Sequence, residues 1–153
     1  MIDIQNMSFR YSKKKTVFDD FSLRLPESRI YGLLGKNGTG KSTLLYLVAG
    51  LLRPDHGLVC FDGLETSHRL PQTLEEMFLV PEEFEFPLTT LDRYVAENAP
   101  FYPRFSREVL DRCLKEFELP ASMKLFSLSM GQKKKVLISF ALATNTRLLL
   151  MDE

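Results

Sequence analysis

The residues with the plainest chemistry are Gly35-Lys36-Asn37-Gly38-Thr39-Gly40-Lys41-Ser42-Thr43, a full match to G-x-x-x-x-G-K-[ST]. That spacing suits one task, the holding of a row of phosphates. Glycines let the backbone curl until successive N–H groups point inward, which makes an anion nest at a helix N-terminus whose dipole favours negative charge. Lys41 is spaced to reach the β- and γ-phosphates, and the Ser42 hydroxyl to take Mg²⁺. At average residue frequencies such a string arises roughly once in 30,000 starts, so a chance glycine-rich turn is a poor rival. A dinucleotide fingerprint, G-x-G-x-x-G, cannot be laid on Gly35, Gly38 and Gly40, and Rossmann-type binding is set aside.

A phosphate loop works between a buried strand and a helix. Ile30 to Leu34, a short apolar run ending at Gly35, reads as the strand. Ser42 to Leu52, apolar at 44, 45, 47, 48, 51 and 52, reads as the helix, with Arg53-Pro54-Asp55-His56-Gly57 as its stop. Phe21–Leu25 alternates as a half-buried strand, Leu58–Phe61 is a strand entering the Asp62-Gly63 turn, and Met77–Val80 is a buried strand. Beyond Pro81, Glu82, Glu83 and Glu85 interleave with Phe84, Phe86 and Pro87, and the character changes to that of a loop leading into a second subdomain. A helix is expected from Thr90 through Asn98. Another is capped by Ser106, with Val109, Leu110, Cys113, Leu114 and Phe117 on one face. After a polar turn at Ser127 to Gln132, Val136–Ala143 reads as a third helix and Leu148–Met151 as the last buried strand. Strand–helix alternation with a helical insertion predicts an α/β fold on a mostly parallel sheet.

Two further strings sharpen the reading. Leu128-Ser129-Met130-Gly131-Gln132 and Leu148-Leu149-Leu150-Met151-Asp152-Glu153 follow the phosphate loop in that order. The chain resembles the ATPase domains of ATP-binding-cassette (ABC) proteins over nearly its whole length. The signature loop of that family, usually Leu-Ser-Gly-Gly-Gln, is similar to the string at 128–132, with Met130 in place of a glycine. The string at 148–153 resembles the family's Walker B strand with the catalytic glutamate appended. The resemblance implies a P-loop NTPase fold with a mostly parallel core, a small antiparallel β part and a helical insertion. The implied division is a nucleotide-binding core at 1–81, a helical subdomain with the signature loop at 82–135, and a return to the core at 136–153. It implies ATP and Mg²⁺ as cofactors, held by Gly35, Asn37, Gly38, Thr39, Gly40, Lys41, Ser42 and Thr43.

Phosphoryl transfer asks the protein for positioning and charge stabilisation. By the same resemblance Asp152 holds the Mg²⁺ shell, Glu153 polarises the attacking water, and Tyr11 stacks on adenine. Ser129, Met130, Gly131 and Gln132 face the nucleotide of a second ATPase subunit in a head-to-tail dimer. Glu82 stands where the family usually has a glutamine sensing the γ-phosphate and Mg²⁺; a carboxylate can ligate the metal but cannot donate as an amide does. Tyr102-Pro103-Arg104-Phe105 and the short insertion are similar to subunits of bacterial exporters with separate membrane subunits. The implied activity is ATP hydrolysis driving transport by an integral membrane subunit, with the chain peripheral at the inner face of the cell membrane. A non-transport ABC ATPase, or a chain that binds ATP without turnover, is the alternative. The family continues past Glu153 with a coupling loop, further strands and a switch histidine, and neither His56 nor His68 stands in that order. A parallel sheet without those strands is expected to leave an uncovered edge, with lower stability or self-association, and weak turnover.

Composition agrees with a soluble globular domain. The 153 residues fit one domain or one lobe of a larger one. With 20 Lys plus Arg against 20 Asp plus Glu, the basic excess that phosphate-backbone binding requires is missing, so nucleic acid is not expected as a ligand. Apolar runs at Leu44–Leu52 and Val136–Ala143 are shorter than a spanning helix needs. The opening Met-Ile-Asp-Ile-Gln-Asn has no secretory pattern, and a cytoplasmic location is expected. Cys60 and Cys113 are expected as small core residues, and Lys13–Lys15 and Lys133–Lys135 as solvated stretches.

Overall fold

The computed structural model describes residues 1–13, 15–120 and 122–152. The chain divides into two compact units, one of Met1–Leu74 with Asp152, the other spanning Glu75–Met151.

The first unit is built on an antiparallel sheet of β1 (Ile2–Ser12), β2 (Lys15–Leu25), β3 (His56–Phe61) and β4 (Leu64–Glu65), in the order β2-β1-β3-β4. In β1 the buried alternation Ile2, Ile4 changes phase at Asn6, whose φ is 47°, and resumes at Met7 and Phe9. Register shifts on both sides of the strand mark a bulge there. Helix α1 (Lys41–Val48) lays Leu44, Leu47 and Val48 into a core with Ile2, Ile4, Met7, Val59 and Phe61. It ends earlier than its apolar pattern predicts. Gly50, at φ 67°, follows the cap residue Ala49; Gly50 N–H donates to Leu47 O (3.1 Å) and Leu51 N–H to Tyr46 O (2.8 Å), the paired bonds of a Schellman stop. Thr66, buried, donates its hydroxyl to a carbonyl oxygen of Leu47 or Val59, at 3.1 and 3.2 Å.

Ile30–Leu34 is not a strand. Ile30 and Leu34 are 103% and 94% exposed, and no strand pairs with the run among the described residues. An apolar run becomes a buried parallel strand only with neighbours on its edges, and here it has none.

The second unit holds a parallel pair, β5 (Met77–Val80) with β6 (Leu148–Met151), in the register Met77↔Leu148 to Val80↔Met151. A one-turn helix, α2 (Pro71–Leu74), closes the first unit, and the described residues of the second hold α3 (Leu91–Asn98), α4 (Arg107–Glu116) and α5 (Met130–Ala143). Their starts follow side-chain chemistry. Thr90 accepts from Arg93 N–H and Ser106 from Val109 N–H, each capping its helix. Helix α5 begins at Met130, six residues before the apolar pattern suggests, because Ser129 and Gln132 close a reciprocal capping box ahead of the three lysines. Phe140 is fully buried, with rings of Phe78, Tyr94, Tyr102 and Phe105 around it at 5.2–6.2 Å. Burial pushes the Tyr94 phenol up to about 12, with the neighbouring Tyr102 adding to the rise. Cys60 and Cys113 are half-buried free thiols rather than core residues.

Candidate functional site

The phosphate loop runs into α1 with Gly38 at φ 80° and Gly40 at φ 99°, conformations that suit glycine. A Cβ on Gly40 would lie 2.6 Å from Val17 Cγ1 and 3.2 Å from Phe18 Cζ, so β2 closes this position to any side chain. No side chain caps α1 at Gly40; the first N–H groups of the helix are therefore available to an anion. Lys41 Nζ donates to Gly35 O (3.0 Å) and Lys36 O (3.3 Å), folded back over its own loop. Thr39 braces the turn, donating its hydroxyl to Lys36 O at 2.8 Å. Asn37 lies in the exposed turn between them.

Ser42 Oγ donates to Asp152 Oδ1 at 2.9 Å, and Asp152 is only 4% exposed. A hydroxyl and a carboxylate, both hard oxygen donors at one point beside a phosphate nest, fit Mg²⁺, which takes few protein ligands and completes its shell with water and phosphate. Tyr11 leans on the buried Thr43, the two hydroxyls sharing a hydrogen bond of 3.1 Å. Its ring is 55% exposed, with Phe9 set edge-on at 5.0 Å. Lys13 and Lys15 are exposed, as a solvated stretch would be, but Lys15 belongs to β2 and places Nζ 5.9 Å from the Tyr11 ring centroid. Lys14 lies outside the described residues.

The remaining predicted residues belong to the second unit. Gln132 Oε1 accepts from Ser129 N–H (3.0 Å) and Ser129 Oγ from Gln132 N–H (3.3 Å), so both serve the helix start; Met130 beside them is 52% exposed. The Glu82 side chain is exposed. Of the three lysines of α5, Lys135 is exposed as a solvated stretch would be, whereas Lys133 and Lys134 are half-buried and paired. Lys133 pairs with Glu85 at 2.7 Å, its side chain 13% exposed. Lys134 Nζ donates to Pro81 O (2.9 Å) and Glu82 O (3.3 Å), and Lys135 Nζ lies 5.6 Å over the Phe117 ring. The opposite charge of the two stretches, acids at 82, 83 and 85 against lysines at 133 to 135, was the signal for this pairing. Glu153 lies outside the described residues. Arg104, part of the exporter-like string, holds Glu76 through both terminal guanidinium nitrogens and donates Nε–H to Asn145 O at 3.0 Å.

The family model described as ABC transporter matches residues 18–153. This chain belongs to the ABC transporter family. Among its relatives, the ABC transporter ATP-binding protein YtrB of Bacillus subtilis is 29% identical across the whole chain, which covers 52% of that protein. The lipopolysaccharide export system ATP-binding protein LptB of Haemophilus influenzae is 32% identical, with the whole chain covering 67% of it. The chain thus spans about half the length of the first and two thirds of the second. A solved ATP-binding subunit of an ABC transporter superposes over the whole chain with a TM-score of 0.85 at 24% identity, covering 66% of that structure. That likeness gives the fold, the α/β P-loop fold of ABC ATPases. Among the described residues no helix is long and apolar enough to cross a membrane.

Proposed function

We propose that this chain is the nucleotide-binding part of an ABC transporter's ATP-binding subunit. It binds Mg-ATP, and in a head-to-tail pair with a second ATPase subunit it hydrolyses the nucleotide to drive a separate integral membrane subunit, docking at the inner face of the membrane. The observation that carries the reading is the Ser42–Asp152 oxygen pair at 2.9 Å, set at the start of the helix that the phosphate loop enters. Asp152 is buried and anchored, so its carboxylate needs little reorganisation to accept the ion. Ser42 and Asp152 would hold Mg²⁺, which would supply neutralisation of the phosphate charge. The loop amides at Gly38 to Ser42 cradle the phosphates, Lys41 exchanges its two carbonyl partners for phosphate oxygens, and Tyr11 offers its exposed ring to adenine. Glu153 takes the part of the residue that orients the attacking water. Ser129 and Gly131, on the capped end of α5, close over the γ-phosphate held by the partner, where the helix N-terminus favours negative charge. Glu82, exposed on the loop after β5, takes by resemblance the place of the glutamine that senses the γ-phosphate and Mg²⁺.

The test is a calorimetric Mg-ATP titration of the chain beside Lys41→Ala. Removing a charge-assisted hydrogen bond to phosphate costs about 1.5–3 kcal/mol, so the variant is expected to bind about 10- to 100-fold more weakly. Equal affinity in both, or no binding by the wild type, overturns the reading.

A further inference from the structure

Two adjacent lysines of α5 grip the two ends of one short loop. Lys134 Nζ donates to the carbonyl oxygens of Pro81 and Glu82, at 2.9 and 3.3 Å, and Lys133 Nζ pairs with Glu85 at 2.7 Å. Successive residues of a helix diverge by roughly 100°, so gripping both ends wraps the loop across the helix surface instead of touching it at one point. The bonds differ in kind. Lys133 meets an exposed carboxylate, which solvent weakens. Lys134 meets two main-chain carbonyls in succession, and these fix the path of the backbone itself. The same helix carries the capping box at its first turn, with Ser129 and Gln132 bonded reciprocally. The loop bearing Glu82 and the helix end bearing Ser129 and Gly131 are therefore fastened to each other through Lys134.

We infer that Lys134 is a positioning residue for ATP hydrolysis: it couples the Glu82 loop after β5 to the signature end of α5, so that a shift of one moves the other. This rests on the ATPase reading above. The ammonium also brings positive charge to a loop that carries acids at 82, 83 and 85. An arginine retains the charge and the donors, a methionine keeps only the apolar stem, and the two variants separate positioning from packing.

The experiment uses the full-length protein that contains this sequence, with Lys134→Met, Lys134→Arg and Lys133→Met compared to wild type. It measures Mg-ATP affinity, steady-state ATPase and amide hydrogen exchange. Lys134→Met is expected to lower kcat by about tenfold or more, the loss matching a charge-assisted hydrogen bond, with KM and Mg-ATP affinity within about twofold. Exchange at residues 82–84 is expected to rise together with exchange in the first turn of α5. Lys134→Arg should restore most of kcat, and Lys133→Met should cost little. Should Lys134→Met fail to fold, Lys134→Gln, which keeps N–H donors without the charge, carries the same test with a smaller loss. Faster exchange with unchanged kcat overturns the coupling, as does unchanged exchange at 82–84. A wild type that binds no Mg-ATP overturns the ATPase reading and the coupling with it, and the affinity measurement distinguishes that case from a failure of the coupling alone.

Discussion

Tyr11 already holds the posture that a base-stacking ring needs. Phe9 packs edge-on against it, its hydroxyl is tied to Thr43 at 3.1 Å, and more than half of its surface is exposed. Stacking of a base on an aromatic ring is worth about 1–3 kcal/mol by alanine substitution. Tyr11→Ala is therefore expected to weaken Mg-ATP binding about 5- to 150-fold, while Tyr11→Phe, which keeps the face and loses one hydrogen bond, stays within about tenfold of wild type; fluorescence titration with a labelled nucleotide reads both. Equal losses in the two variants would move the role from the ring to the hydroxyl. Gly40 makes another residue-scale case. Its φ of 99° and the 2.6 Å approach of Val17 leave no room for a methyl, and Gly40→Ala is expected to destabilise the first unit by about 1–2 kcal/mol or more, seen as a lowered thermal midpoint. The need for glycine at 40 was legible in the motif spacing. The wall that enforces it was not, because Val17 and Phe18 lie more than twenty residues upstream and carry no motif of their own.

At the scale of elements, legibility followed whether a segment announces its own ends. Helices α3 and α4 were readable because Thr90 and Ser106 cap them and an apolar face follows. Strand β1 carries no continuous alternation because Asn6 flips its phase, and period-two reading fails across a bulge. The apolar period alone starts α5 late because lysines carry none, whereas Ser129 suits a helix N-cap and with Gln132 spells the capping box. That box is testable: Ser129→Ala is expected to cost about 1 kcal/mol, a fall of about 2–4 °C in Tm for a chain of this length. The start of β5 gives a pH prediction. Glu76 O accepts from Leu148 N–H at 3.0 Å beside the first rung of the parallel pair, and Arg104 grips its carboxylate. The Arg104 hydrogen bonds hold the Glu76 pKa below its ordinary 4.5, against a smaller opposing effect of burial. A lowered folded value means that the unfolded chain takes up the proton first as pH falls. The stabilisation is thus complete above about pH 4.5–5 and is lost as pH drops through the lowered folded value. Glu76→Gln is expected to flatten that acid limb in a series of thermal melts from pH 3 to 7; an unchanged limb would show that the ion pair contributes nothing to it.

For the molecule as a whole, the fate of Ile30–Leu34 matters most. The run reads as a buried strand by composition, and composition cannot say which strands flank it; parallel strands draw their neighbours from distant sequence. In the described chain Ile30 and Leu34 are fully in solvent, with Tyr31 and Leu33 each 45% exposed. Four large exposed apolar side chains, on a segment that joins no strand among the described residues, form an apolar patch open to another chain. A formal net charge of zero provides no general repulsion to oppose it. The chain is therefore expected to self-associate as its concentration rises, and the contact is expected to run through this segment. Replacing Ile30 and Leu34 together with lysine should shift the sedimentation profile toward monomer. Because neither side chain is packed in the fold, the thermal midpoint should move by no more than surface substitutions usually cause, about 0.5 kcal/mol in stability. Association that persists undiminished in the double variant would place the contact elsewhere, and a large drop in stability would mean that the run is packed in solution. If monomerisation leaves Mg-ATP affinity unchanged, the phosphate loop that begins at Gly35 holds its shape without a paired strand in front of it, and the geometry of Gly38, Gly40 and the Ser42–Asp152 pair is enough to form the site.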